Sequence, residues 1–237
     1  MFSMRKLVVV GAALGCGLAM QAGVGVAATG GGADAFCKVN LAVDASPQGP
    51  TPKLLQKFRD TAPADIAQTV DDAVSAFEDQ GEAAFEDPTF AAKIAEIDQY
   101  VVDNCGYQTV DVSMGDYSFT GVPESLDKGV TAFVLSNDGA ELHEFVVARL
   151  KGDTTVEDIL ALPENASAKA RKKLVQEIPG GGFAAPGQSD VALINLRQPG
   201  QYVALCFIPV GTTPDAQDGG DGPPHAHQGM TAEFTVS

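Results

Sequence analysis

Positive charge is scarce in this chain. Its 237 residues include 15 Lys and Arg against 31 Asp and Glu, a formal net charge of −16. So acidic a surface repels nucleic acid and anionic membranes, and neither is an expected partner. Long apolar runs are also scarce: one spans residues 7–26, and no later segment is long and apolar enough to cross a bilayer. There is no internal repeat, and no low-complexity segment beyond a short Gly-rich stretch. Histidine is rarer still, at three, and none falls between residues 36 and 105. Without His or a catalytic cluster, that stretch offers no site chemistry. Cysteine is limited to four: Cys16, Cys37, Cys105 and Cys206.

The single apolar run has a context. Arg5 and Lys6 precede it and the small residues of Val26-Ala27-Ala28 follow it. A basic start, an apolar centre and a small-residue exit make a secretory signal peptide over residues 1–28. Gly11, Gly15, Gly17, Gly23 and Gly25 weaken the run as a permanent membrane helix. A secreted or cell-envelope protein is expected, with no membrane span once the leader is removed. Ala13-Leu14-Gly15-Cys16 loosely resembles a lipoprotein processing site, which would make Cys16 a lipid anchor. Either way three cysteines remain in an oxidising compartment, so at most one pair forms and one thiol is left over. An unpaired thiol in an exported protein asks for a reason, and a metal supplies one.

Two textures follow the leader. Residues 29–35 read as a small Gly-rich linker, and residues 36–106 as a helical domain. Pro52-Lys53-Leu54-Leu55 opens one helix with Pro near its start. Ile66, Val70, Val74 and Phe77 share one face of the next. Asp87 and Pro88 provide an N-cap and first position for the last, with Phe90, Ile94, Ile97 and Val101 on its inner face. Asn104-Cys105-Gly106 ends it with a Gly C-cap. Cys37 lies in the first helical stretch and Cys105 at the end of the last, so a Cys37–Cys105 disulfide would staple a small bundle. Closing a loop of that length contributes about 4 kcal/mol through the unfolded state. Asp71, Asp72, Glu78, Asp79 and Glu82 read as the solvated face.

At Tyr107 the period changes to two. Thr109-Val110-Asp111-Val112-Ser113-Met114 alternates, and further strands are expected at 117–119, 130–135, 145–148, 191–196, 202–208 and 231–236. About seven short strands with Gly/Pro turns predict a β-sandwich. Residues 153–177 interrupt it with a helical insert, read as a surface excursion whose basic cluster at 169–173 could dock an acidic partner. Gly180-Gly181-Gly182 reads as a flexible break. The fold class is α+β multidomain.

All three histidines (His143, His225 and His227) lie in the strand-rich half, with the spare Cys206 and with Met230. One thiolate, two imidazoles and a thioether form the ligand set of a blue-copper site. Three segments carry a family resemblance. Asn137-Asp138-Gly139-Ala140-Glu141-Leu142-His143-Glu144-Phe145 resembles the first ligand segment of cupredoxins. Pro199-Gly200-Gln201-Tyr202-Val203-Ala204-Leu205-Cys206 resembles their segment before the Cys ligand. Pro224-His225-Ala226-His227-Gln228-Gly229-Met230 resembles their closing loop, followed by a last strand. The resemblance implies a plastocyanin/azurin-like Greek-key β-sandwich over residues 107–237, with copper at one end. Its metal ligands would be His143, Cys206, His225 and Met230, with His227 as the alternative to His225. One feature departs from the family: eighteen residues separate Cys206 from His225, where familiar members have only a few.

The expected function is that of a mononuclear copper protein, not an enzyme, passing single electrons between Cu(I) and Cu(II) with an unidentified redox partner protein. A multicopper oxidase is not expected, because its trinuclear centre needs many more His. Two alternatives stand beside this reading: a metal-free cupredoxin-like interaction module, and a copper storage or delivery protein.

Overall fold

A computed structural model describes residues 32–46, 49–163, 166–216 and 219–237. The signal peptide expected at 1–28, Cys16 and residues 29–31 of the expected linker lie outside the described residues. The chain divides between Cys105 and Gly106 into two compact units. No helix among the described residues is long and apolar enough to cross a membrane.

The first unit is helical: α1 (Gly32–Asp44), α2 (Pro52–Thr61), α3 (Ala67–Gln80), a 3-10 turn at Gly81–Glu86 and α4 (Pro88–Asn104). The helix starts follow local chemistry. Thr51 Oγ1 accepts from Leu54 N ahead of α2, and Asp87 accepts from Thr89 N ahead of α4, each with Pro at the start of the helix. The linker expected at 29–35 is helical from Gly32, because Ala33, Asp34 and Ala35 favour a helix start and Asp34 suits its positive end. Phe36 stacks on Phe58 and meets Tyr100 edge-on. Cys37 and Cys105 are bonded, with Cα atoms 5.6 Å apart. The acidic face is not purely solvated: Arg59 pairs with Asp71 and Glu78, and Lys93 pairs with Asp72.

The second unit is a β-sandwich. Its strands are β1 (Gln108–Gly115), β2 (Ser118–Thr120), β3 (Ser125–Leu126), β4 (Gly129–Asn137), β5 (His143–Leu150), β6 (Val175–Ala184), β7 (Ser189–Leu196), β8 (Gly200–Leu205) and β9 (Thr231–Val236). One sheet has the order β2-β1-β4-β7 and the other β3-β9-β8-β5-β6. Phe133, Phe145, Tyr202, Phe234 and Met114 fill the space between them. The fold class matches the expectation from sequence.

Two expectations need correction here. Gly180, Gly181 and Gly182 are not a flexible break; they lie inside β6, paired with Val147, Val146 and Phe145. A Cβ at Gly181 would come within 2.6 Å of the Phe145 carbonyl oxygen, and one at Gly182 within 2.6 Å of Leu135. Glycine here permits close approach rather than mobility. The helical insert, α5 (Val156–Leu160) and α6 (Ala168–Leu174), is more than a surface excursion. Val156 and Ile159 are buried in a second apolar cluster with Ala148, Leu150, Val203, Leu205 and Ala226. That cluster covers a face of β5 and β8. The basic α6 buries no residue.

Candidate metal centre

The first ligand segment is set by a turn. Asn137, at the end of β4, donates from Nδ2 to the carbonyls of Glu141 and Ala184 and accepts from Gly139 N. That clasp closes the turn and starts β5 at His143. Gly139 is required by contact: a Cβ there would overlap the Asp116 carboxylate and lie 2.7 Å from His143 Nε2.

Cys206 follows β8, and its backbone holds the closing loop. Cys206 N donates to Met230 O, and Ala226 N donates to Cys206 O. Met230 N donates to His225 O, and His225 N to Ile208 O. The long Cys206–His225 connection is bridged at its base, where Pro209 faces Pro224 and Val210 N donates to Pro223 O. Its length therefore lies beyond a closed base, which leaves the positions of Cys206 and His225 unaffected.

These segments bring together His143, Cys206 and His225, whose ligand atoms all lie within 4.8 Å of one another. His143 Nδ1 is 3.1 Å from His225 Nδ1, and Cys206 Sγ is 3.3 Å from His225 Nδ1. All three residues are fully buried, as is Met230 beside them in the core. His227 is brought elsewhere: it is exposed, with Nε2 3.1 Å from the Leu160 carbonyl.

The far side of each imidazole meets a carboxylate. His143 Nε2 lies 2.9 Å from Asp116 Oδ1, and His225 Nε2 lies 3.0 Å from Glu141 Oε2. Asp116 also accepts from Ala140 N and Glu141 N. Glu141 accepts from Tyr117 Oη and Gly211 N. Burial works to raise both carboxyls, but these donors outweigh it and hold both below the usual range. Burial lowers the His143 imidazole, against the pull of Asp116. Burial also pushes the Cys206 thiol up to about 12, although the Glu144 and Ile208 N–H groups oppose the rise.

An ionised carboxylate can only accept, so each one fixes a proton on the Nε2 that faces it. Each Nδ1 is then the ring nitrogen left to present a lone pair towards the other ring and the thiol. Three facing donor atoms of this kind suit a cation, and a mixed imidazole and sulfur set suits copper. Sequence reasoning found the three donors but missed Asp116, Glu141 and Tyr117. Glu141 lies within the first ligand segment and could have been weighed. Asp116 lies 27 residues before His143, and no spacing rule joins them.

The C-terminal unit is a two-sheet β-sandwich that carries a buried His-Cys-His group. No protein-family model matches the chain, and no curated protein matches it. Solved structures do resemble it. Dithionite-reduced auracyanin from Roseiflexus castenholzii is 20% identical, with 55% of this chain and 97% of that one covered and a TM-score of 0.35. Auracyanin A from Chloroflexus aurantiacus, a "blue" copper protein, is 14% identical, with 56% of this chain and 100% of that one covered and a TM-score of 0.33. A multi-copper oxidase from Pediococcus acidilactici is 11% identical, with 56% of this chain and 26% of that one covered and a TM-score of 0.31.

Proposed function

We propose that the cupredoxin-like unit would hold one copper ion through His143 Nδ1, His225 Nδ1 and Cys206 Sγ, with the buried Met230 supplying a thioether as a fourth donor. In this reading the protein works outside the cytoplasm, carries single electrons to and from a protein partner, and turns over no substrate. The observation that carries it is the buried His-Cys-His group, with its ligand atoms all within 4.8 Å. Copper held by these residues would supply one-electron Cu(I)/Cu(II) chemistry. The chain's own residues supply the rest. Asp116 and Glu141 hold the two imidazoles in one tautomer. Burial excludes water from the donors. Cys206 releases its proton on binding. Three histidines are too few for a trinuclear oxidase centre, which favours a carrier. The leader pattern and the disulfide support export, because such bonds persist in oxidising compartments.

Purified protein titrated with Cu(II) should develop an intense visible thiolate-to-copper band at one equivalent. Cys206→Ser should abolish it, since an alkoxyl oxygen supplies no such transition. A colourless wild-type protein, or a Cys206→Ser variant that keeps the band, would sink this reading.

A further inference from the structure

We infer that Asp116 and Glu141 are positioning residues of the copper centre, and that their negative charges lower its reduction potential by favouring Cu(II) over Cu(I). This rests on the copper reading above.

Each carboxylate meets the far nitrogen of a proposed ligand, at 2.9 Å for Asp116 and 3.0 Å for Glu141. The His143 and His225 rings are fully buried. The Glu141 side chain is 13% exposed and that of Asp116 32%, so the Glu141 charge is the less screened of the two. Glu141 is fastened from three directions. Tyr117 Oη donates to Oε1 at 2.9 Å, Gly211 N donates to Oε2 at 2.5 Å, and His225 Nε2 reaches the same Oε2. The Tyr117 ring also lies against His225, with centroids 4.9 Å apart. Asp116 is fastened by Ala140 N and Glu141 N on the turn before His143. Gly139 leaves room for that carboxylate, since any side chain there would displace it.

A carboxylate accepting an imidazole N–H makes the opposite nitrogen a stronger donor. Two such pairs, on both imidazoles of one site, act in the same direction. The more positive oxidation state gains more from each charge, so Cu(II) is stabilised relative to Cu(I) and the potential falls.

Glu141→Gln separates charge from contact. An amide oxygen at the Oε2 position still accepts from Gly211 N and His225 Nε2, and the amide nitrogen can donate to Tyr117. The charge goes while the contacts have chemical equivalents. Asp116→Asn does the same for His143. Redox titration of the copper-loaded proteins, followed by the visible band, should show a higher potential in each variant. Outer-sphere partners of this kind are worth about tenfold in metal affinity. A tenfold preferential loss of Cu(II) reads as a rise of about 59 mV for a one-electron couple. Glu233→Gln, an exposed acid on β9, should leave the potential unchanged. Tyr117→Phe keeps the Glu141 charge and deletes one strap, so its rise should be smaller than that of Glu141→Gln. Unshifted potentials with lowered melting temperatures in the metal-free variants would make the two acids merely structural and overturn the inference. A Tyr117→Phe rise as large as that of Glu141→Gln would overturn the charge argument. A wild-type protein without the copper band would remove the copper reading and this inference together. A normal wild-type band with unshifted variants would remove this inference alone.

Discussion

The helical unit and the sandwich bury different things. Among the described residues, Asn40 is the buried polar side chain of the helical unit, whose interior is otherwise apolar and closed by a disulfide. The sandwich buries Thr131, Asn137, His143 and His225 as well as the free Cys206. Burying a polar group costs free energy unless it is paired, so a cluster of them marks a place where the fold gives up stability for another purpose. Asn137 is paired through its turn, and both histidines through carboxylates. The helical unit is organised for cohesion. The sandwich adds a chemically specialised end.

That contrast breaks most sharply at His225. His225→Ala should abolish the copper band, because it removes one of three buried donors. His227→Ala, only two residues on, should leave the band nearly intact, because its ring faces the Leu160 carbonyl. Copper titration followed in the visible range separates the two. Loss of the band in His227→Ala with retention in His225→Ala would reverse the assignment.

The disulfide tests the other side of the comparison. Cys37→Ala with Cys105→Ala should cost the helical unit about 4 kcal/mol, the loop-closure value for a bridge of this span. Their sequence separation is 68. Denaturant unfolding followed by the helical circular-dichroism signal reads the loss directly. An unchanged helical transition would mean that the Phe36, Phe58 and Tyr100 stack, not the covalent staple, holds these helices together.

How far the sequence could be read follows from how local each signal is. Period-two alternation made β1 readable, because one face of it meets the core; β4 and β7 were readable as short apolar runs between turn residues, and each buries consecutive residues. The start of α4 was readable for a similar reason, with the cap and the Pro in adjacent residues and the inner face recurring at helical spacing after them. Gly180-Gly181-Gly182 misled because the reason for those glycines is non-local: it lies in Phe145 and Leu135 on other strands. The insert misled because Val156 and Ile159 find their apolar partners on β5 and β8. In the site, His143, Cys206 and His225 were legible through their order along the chain. Asp116 was not, because its link to His143 exists only once the turns after β1 and β4 are brought together.

Gly182 turns that lesson into a measurement. A Cβ there would lie 2.6 Å from Leu135 Cδ1 and 2.7 Å from Asp190 Oδ2. Overpacking of this kind costs about 1–3 kcal/mol. Gly182→Ala should therefore lower the unfolding midpoint of the sandwich. A neutral or stabilising substitution would restore the flexible-break reading, since a mobile segment would gain from a reduced unfolded-state entropy.

The smallest expected effect has the opposite sign. Thr131 is fully buried on β4, opposite Ile194 of β7, and its hydroxyl finds no partner among the described residues. Asn137, His143 and His225 serve the turn or the donor cluster; Arg149 Nε also lacks a partner, but that side chain donates through Nη2 to Pro199 O, so Thr131 is the buried residue whose side-chain polar group is wholly unpaired. A buried hydroxyl left without a hydrogen bond costs about 1–3 kcal/mol. Valine keeps the branched shape and the strand preference while removing that cost. Thr131→Val should raise stability by about 1 kcal/mol, a shift of a few degrees in the melting temperature of a domain this size. The copper band should not change. A destabilised variant would show that the hydroxyl is satisfied in solution.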